Sequence, residues 1–546
     1  MRQTPNQIKK EENQMFLALI LVIFVLIAFQ VFNRQPVENV VSEIQPVAEP
    51  ARVESLPAKA VQVPVISTEK LPDISAQNDF ISASWTGNGL TLNSLVLKKY
   101  KETLAKDSAN VQLLSDTYQA RLAWFVLGQE IPLFADKNAS ITQNQPATFV
   151  SKTKDYELVR TISLDDHYMF TVTDTIKNLG DKPLPVHLKG QVTRAKDTAD
   201  TTRSSVHTGF VALVNQKLEE KRFEETKDKT VTYTTQDGWL GVTDKYWQTV
   251  FVPQENISFE ITDSQNEAYY QTDFVEKETL LNAGQTITRK TLLFAGAKEL
   301  NLINDYMTLY NIPKFDLTID FGWFYFLTKP FLFILQWLHM LVGNMGIAIL
   351  LFATLLRLAL LPVATKSYIS MAKMKKVQPQ LKELQERFKD NRAQLQQEML
   401  ALYRREKINP AGGCLPMFIQ IPVFYALYKV LSVSLQMRQA PFFGWIQDLS
   451  APDPSSVFTL FGLLPWSIPG FLNIGILPVI MGITMYIQQK MTPAPTTDKA
   501  QANMFKFMPV IFTFMMGQFA SGLVIYWTWS NILSIAQQKY IIKKVG

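Results

Sequence analysis

The chain has 546 residues, a formal net charge of +6 and a mean hydropathy of +0.02, an average over a polar, strand-like first half and a second half rich in apolar runs. A single cysteine, Cys414, excludes an internal disulfide, and four scattered histidines, His167, His187, His207 and His339, argue against a Cys/His metal centre. The excess of lysine and arginine forms no compact basic domain with a recognition motif, so neither a nucleic-acid substrate nor a cofactor is expected.

In chain order, Phe16 to Phe32 is a 17-residue apolar run behind Arg2, Lys9 and Lys10, with no small-residue cleavage pattern at its end. With its leader it reads as an uncleaved membrane anchor over residues 1–33. Residues 34–78 are rich in Pro, Val, Glu and Ala without helical or strand periodicity, which predicts a linker. From 79 to 312, β-branched and aromatic runs such as YELVRTISL, HYMFTVTDTIKN and TITRKTLLFAG alternate with Gly, Asn and Asp, and predict one large β-sandwich domain.

Residues 313–343 are aromatic-rich, but Lys329 and Pro330 interrupt them and leave an apolar piece of only 12 residues, Phe331 to Val342. An amphipathic helix on the outer membrane interface is predicted. Residues 344–546 then hold five candidate spans: Met345 to Ala364, Leu415 to Met437, Ile474 to Gln489, Phe505 to Phe519 and Leu523 to Ala536. The last two are separate because one helix over Phe505 to Ala536 would be about 48 Å long against a hydrocarbon core of about 30 Å. Gln518, Ser521 and Gly522 supply the turn. At 15 and 14 residues, these two spans also predict a locally thinned bilayer.

Charge sets the orientation. Between Lys366 and Lys407, seven Lys and four Arg face five acidic residues, whereas Arg438 to Asn473 holds one Arg and no Lys. The first segment is therefore expected in the cytoplasm, with six spans and both termini inside. Within it, Met371, Met374, Val377, Leu381, Leu384 and Phe388, then Leu395, Met399 and Leu402, recur at helical spacing around a turn at Asp390 and Asn391. A cytoplasmic helical hairpin over 366–408 follows, with Lys375, Lys376, Glu383, Arg387 and Tyr403 as candidate contact residues and Glu383 to Arg387 as a four-residue charge pair.

Arg357 is the most informative residue of the spans. Counted from Met345, it lies about 18 Å into its segment and about 9 Å short of Val363, and a guanidinium there costs about 2.5 to 3.5 kcal/mol unless it faces a polar cavity or snorkels. No Asp or Glu lies within the spans to answer it, and Gln420, Thr528, Ser530 and Asn531 are further polar residues in them. Lys429 is expected to snorkel towards the outer end of its span. Met481 and Met485 belong to a methionine-rich set suited either to deformable core packing or to an apolar surface that accepts many sequences.

Three stretches carry a resemblance: NPAGGCLPMFIQIPVFYALY at 409–428, RQAPFFGWIQDLSAPDP at 438–454 and SGLVIYWTWSNILSIAQQ at 521–538. They are similar to the signature stretches of the YidC/Oxa/Alb insertase family, and the order of anchor, large domain, amphipathic helix and five spans agrees over the whole chain. The resemblance implies a membrane α-helical bundle with a five-helix insertase core plus a periplasmic all-β supersandwich in the bacterial inner membrane. It also implies a hydrophilic groove, open to cytoplasm and lipid, in which Arg357 supplies the positive charge and Tyr526 and Trp527 the aromatic side chains. Gln420, Met481 and Met485 are candidate groove residues beside them. The hydroxyl often found four residues before the arginine is replaced by Ala353, with Thr354 next to it, and the insert at 455–475 is longer than in some relatives.

The implied function is a non-enzymatic insertase and chaperone that moves short polar tails and apolar helices of nascent membrane proteins into the lipid bilayer, alone or with the Sec translocon. With no long basic extension before Gly546, a ribosome contact is expected to rest on the hairpin and the terminal lysines. The alternatives are a polytopic transporter with Arg357 as an anion site, an envelope enzyme and a passive Sec-associated chaperone. The transporter lacks inverted repeats, and the enzyme lacks a nucleophile motif, metal spacing or phosphate loop.

Overall fold

The computed structural model describes residues 71–545 except 135–138, 144, 200–205, 227–229, 255–257, 390, 407, 409–414, 460–462, 465–472 and 492–498. The expected anchor at Phe16 to Phe32, most of the linker and the Asp390 half of the hairpin turn lie outside the described residues. The described chain divides into a large unit, up to Lys376 and again from Ile408, and a small one, Val377–Lys407.

The first part of the large unit is a β-sandwich of a 12-stranded and an 8-stranded sheet. Its first strand is Ile74–Gln77, so the expected linker ends earlier than residue 78. Among the described residues strand pairing is antiparallel except where Ser75 faces Ser140 in a parallel pair. Along Tyr156–Leu164 and Leu184–Ala195 every second residue is buried, the pattern of strands with one face on a core. Trp85, Trp124, Trp239, Phe170 and Phe251 fill the interior.

One charged network crosses that core. Arg160 makes a two-pronged pair with Asp174 (2.7 and 2.8 Å) and donates through Nη1 to the Leu122 carbonyl at 2.6 Å, while Trp124 Nε1 donates to Asp174 Oδ2 at 2.9 Å. Both charged side chains are only 1% exposed. The pairing, with each of the three guanidinium nitrogens donating once, offsets the desolvation that an isolated buried charge would incur.

After a short helix α1 (Leu300–Leu309) comes α2 (Tyr325–Val342), which runs unbroken through Lys329 and Pro330. The helix therefore extends beyond the expected 12-residue apolar piece at Phe331 to Val342. Proline removes only one intrahelical donor here, and Lys329 is satisfied by Asp316 at 2.7 Å and the Tyr325 hydroxyl at 2.8 Å. α2 buries Phe331, Leu332, Leu335 and Leu338 and exposes Phe333, Ile334, Trp337, Met340 and Leu341, so it is apolar on both faces. Gly343, at φ 68°, ends it, and Asn344 accepts from the Ile347 N–H to start α3.

α3 (Met345–Ala359) stops five residues short of the expected boundary and bends by 67° into α4 (Leu361–Arg387). Pro362 explains the break, because it has no N–H to continue the ladder across the junction. The remaining helices are α5 (Arg392–Arg405), α6 (Leu415–Val433), α7 (Ile476–Met491), α8 (Lys499–Met516) and α9 (Ser521–Val545). α8 and α9, at 18 and 25 residues, are longer than their apolar segments, so their length gives no reason to expect a thinned bilayer. Of the helices over the five candidate spans, α3 and α7 are the shortest, at 15 and 16 residues. By length and hydropathy, α2 alone crosses the threshold for a membrane span among the described residues, and α3 with α4 passes it as a bent pair.

The small unit contains the second half of α4 and α5. Val377, Leu381 and Leu402 are buried in it, as the helical spacing predicts. Asn391 caps α5 by accepting from the Gln394 N–H at 3.1 Å, and Arg405 donates to Gln380 at 3.2 Å across the hairpin. Glu383 and Arg387 pair at 3.0 Å with both side chains about two-thirds exposed, a solvated contact of little energetic weight. Tyr403 is half-buried, and burial raises its phenol pKa.

Candidate client groove

Helix α9 organises the site. Tyr526, Ser530, Asn531, Ser534 and Gln538 recur along one side and are all buried, forming a polar seam inside an otherwise apolar bundle. Gln420 on α6 donates to the Tyr526 hydroxyl at 2.9 Å, and Asn531 donates to Thr484 on α7 at 3.1 Å. Trp529 Nε1 donates to Thr354 Oγ1 at 3.0 Å, and that hydroxyl donates onward to the Leu350 carbonyl at 2.8 Å. Thr354 is therefore a brace between α3 and α9. Sequence reasoning passed over Trp529, whose indole N–H in an apolar span is the signal that a partner must exist.

Arg357 lies one turn beyond Thr354, partly exposed, in the last turn of α3. This corrects its expected place deep inside a longer span. At the end of a helix a cation faces the free carbonyls and is favoured by the helix dipole. It has no hydrogen-bonding or ion-pair partner among the described residues, but it is close enough to act electrostatically on the Tyr526 hydroxyl. Beside it, Leu351, Leu355 and Leu358 form an exposed apolar edge of α3, with Phe418 and Ile421 exposed on α6.

Other expected groove residues fall differently. Tyr526 is 1% exposed, and Met481 is fully buried in the core, so neither presents an open surface. Met485 is partly exposed. Trp527 is turned from Tyr526 and packs between Phe424 at 4.8 Å and Phe512 at 5.7 Å. Successive helix residues point about 100° apart, and here that offset carries Trp527 onto Phe424 and Phe512 while Tyr526 meets Gln420.

The opposite end of the bundle is sealed by the 438–454 stretch. Asp453 Oδ2 accepts from the Leu477 N–H at 2.8 Å and Ser455 Oγ from the Ile476 N–H at 2.9 Å, which satisfies the start of α7. The Ala451 and Leu449 carbonyls accept from Ser521 and Gly522 at the start of α9, at 2.7 and 2.9 Å. Two cations join this end to the β domain. Arg438 lies over the Trp247 ring at 5.5 Å and donates to the Lys101 carbonyl. Lys429 does not snorkel into open solvent: it is buried and paired with Asp320 at 2.8 Å. Asp320 also accepts from the His207 N–H at 3.0 Å and the Gly322 N–H at 3.1 Å. Burial alone would raise this carboxyl, but the Lys429 charge and these hydrogen bonds hold it below its ordinary value. Nearby, burial drives Lys298 down to about 8.

The β-sandwich thus adjoins a helical bundle with an internal polar seam, exposed apolar edges and, at Arg357, a cation without a hydrogen-bonding or ion-pair partner among the described residues. Sequence comparison gives the family. Residues 337–546 match the 60Kd inner membrane protein family and residues 73–334 match the YidC periplasmic domain. A membrane protein insertase YidC from Beijerinckia indica is 41% identical over 98% of this chain and 97% of that protein, and another from Agrobacterium fabrum is 43% identical over 87% and 82%. A crystal structure of an active YidC insertase with its first transmembrane domain resolved is similar at 19% identity, with a TM-score of 0.38, over 86% of this chain and 92% of that one. The chain belongs to the YidC family of membrane protein insertases, inner-membrane proteins with a periplasmic domain.

Proposed function

We propose that client insertion in this chain runs through the space bounded by α3, α6 and α9. The polar tail of a nascent client leaves water beside Arg357, Gln420 and Thr354, and its apolar helix leaves along the exposed edge of α3 at Leu351, Leu355 and Leu358. Desolvating a polar tail in lipid is costly, and a polar seam reduces that cost. Arg357 attracts acidic or carbonyl groups at short range because no carboxylate among the described residues answers it. Partitioning of the apolar helix and the membrane potential then drive transfer without ATP.

In this reading both termini and the Lys366 to Lys407 segment are cytoplasmic, and α2 lies along the outer interface with the β domain in the periplasm. The basic Lys366 to Lys407 hairpin and the terminal lysines meet the ribosome, and the greasy faces meet the Sec translocon for larger clients. The observation that carries the insertase reading for this site is the partly exposed Arg357, without a partner among the described residues, beside an apolar edge.

Purified protein in liposomes, with protease protection of a small client bearing an acidic tail, tests it. Arg357→Lys should retain insertion because the charge persists. Arg357→Ala should remain folded and lose most insertion of acidic-tailed clients, by tenfold or more if the charge contributes about 1.4 kcal/mol. Full activity of Arg357→Ala on such clients would refute the role of the charge.

A further inference from the structure

Away from the groove, a cavity of about 160 Å³ opens between α4, α7 and α9, lined by Met371, Ala372, Lys375, Lys376, Met491 and Ile542. Its walls are built rather than incidental. Ala364 and Tyr368 on α4 pack with Ile541 on α9 to form a small core beside it, with Met371 against that core. Gln538, one turn before Ile542, donates to the Met491 carbonyl at 3.3 Å and ties the end of α7 to α9. The floor is thus apolar and fixed, while both lysines are exposed at the rim. No carboxylate lines the cavity.

We propose that this cavity binds an anionic phospholipid, with the headgroup phosphate between Lys375 and Lys376 and the glycerol and first methylenes against Met371, Met491 and Ile542. The combination of chemistries selects the occupant. A free phosphate uses the ammonium groups and leaves the apolar floor wet, whereas a zwitterionic lipid uses the floor and leaves the rim charge uncompensated. An anionic lipid uses both. Basic pockets between helices at the cytoplasmic membrane face are suited to such headgroups, and Lys490, Lys539 and Lys543 lie near the same helix ends in sequence. The inference rests on the proposed orientation, which puts these ends at the inner leaflet. Its binding test in detergent is blind to sidedness, so the two readings fail independently.

The test is native mass spectrometry of the full-length protein in mild detergent, titrated with phosphatidylglycerol, phosphatidylcholine and inorganic phosphate. Phosphatidylglycerol should be retained and phosphatidylcholine should not. Lys375→Gln/Lys376→Gln should weaken retention about thirtyfold, the equivalent of about 1 kcal/mol per lysine. Lys373→Gln/Lys389→Gln removes the same charge from positions off the cavity and should leave retention within about twofold. Ala372→Leu narrows the cavity without changing charge and should also weaken it, which keeps the proposal falsifiable if the lysine variant misfolds. Equal losses in the two double variants would mean diffuse attraction and overturn the site. Equal retention of phosphatidylcholine, displacement by phosphate at the lipid's own concentration, or displacement by an acidic client peptide would overturn the lipid as occupant.

Discussion

Lys429 and Arg357 are both cations in apolar helices, and they differ because one meets a carboxylate and the other meets none among the described residues. Side-chain exposure in the Lys429 to Asp320 pair is 7% and 18%, so removing one partner strands the other in a poorly solvated place. Lys429→Met should cost about 2 to 4 kcal/mol, reduced from the fully buried case because Asp320 keeps some water and two backbone donors. A double-mutant cycle with Asp320→Asn, read by thermal melting in detergent, should give a coupling above about 1 kcal/mol; a coupling near zero would show that the pair is incidental. His207, beside the same aspartate, gives a separate pH signature. Burial drives its pKa down to about 4, outweighing the hydrogen bond to the Phe210 carbonyl and the nearby Asp320 charge, while Lys298 and Arg222 push the same way as burial. The folded state therefore prefers neutral His207, and its contribution is complete above about pH 6.5 and is lost as pH falls towards 4, by about 3 kcal/mol in all. His207→Gln should flatten that acid limb between pH 6.5 and 4. An unchanged slope there would assign the limb to other groups, since the depressed carboxyl of Asp320 acts only at lower pH.

Among the elements, the hairpin of α4 and α5 and the β domain make opposite predictions. The groove residues all lie after Met345, and the hairpin follows directly from the α3 to α4 bend. Excising Gln378 to Glu406 should abolish client insertion, whereas removing residues about 80 to 300 should leave it largely intact in reconstituted vesicles. That second deletion spares the Asp320 to Lys429 pair but removes the Trp247 and Lys101 partners of Arg438, so some loss of melting temperature is expected without loss of insertion. If insertion stops although the truncated protein is folded, the division of labour is wrong. The elements also show what the sequence discloses and what it conceals. Period-two alternation made the sandwich legible at Tyr156–Leu164, and three-to-four spacing did the same for the hairpin. Prolines were the weak point: Pro330 lies inside an unbroken helix, where it removes a single backbone donor, while Pro362 ends α3 early. Partners far apart in sequence were illegible. Nothing local announces that Lys429 will meet a residue 109 positions earlier, or that Trp529 will reach Thr354, 175 positions earlier.

For the molecule as a whole, one arrangement in the membrane must satisfy the charge distribution, the sealed end of the bundle and the β domain together. Asp453 and Ser455 cap α7, the carbonyls of Leu449 and Ala451 cap α9, and Lys429 and Arg438 hold the β domain at this same end. In the proposed orientation the Lys/Arg-rich segment and the lysines that end α9 belong to the other side of the membrane. Single cysteines in a Cys414→Ser background should report it with a membrane-impermeant thiol reagent on intact and opened cells. Cysteines at Lys389 and Lys543 should label only after the cytoplasm is opened, and one at Gln236, exposed on the β domain, should label from outside. The loop between α6 and α7 is best probed at Gln447, which is exposed; Asp453 is buried, bonded to Trp445 and needed as a cap, so a cysteine there would perturb what it reports. External labelling at Lys543 with protection at Gln447 would invert the final helices and remove the basis for a groove open to the cytoplasm. Labelling of Gln447 and Gln236 on the same side, opposite to Lys389 and Lys543, is the outcome that the capping geometry and the charge asymmetry jointly require.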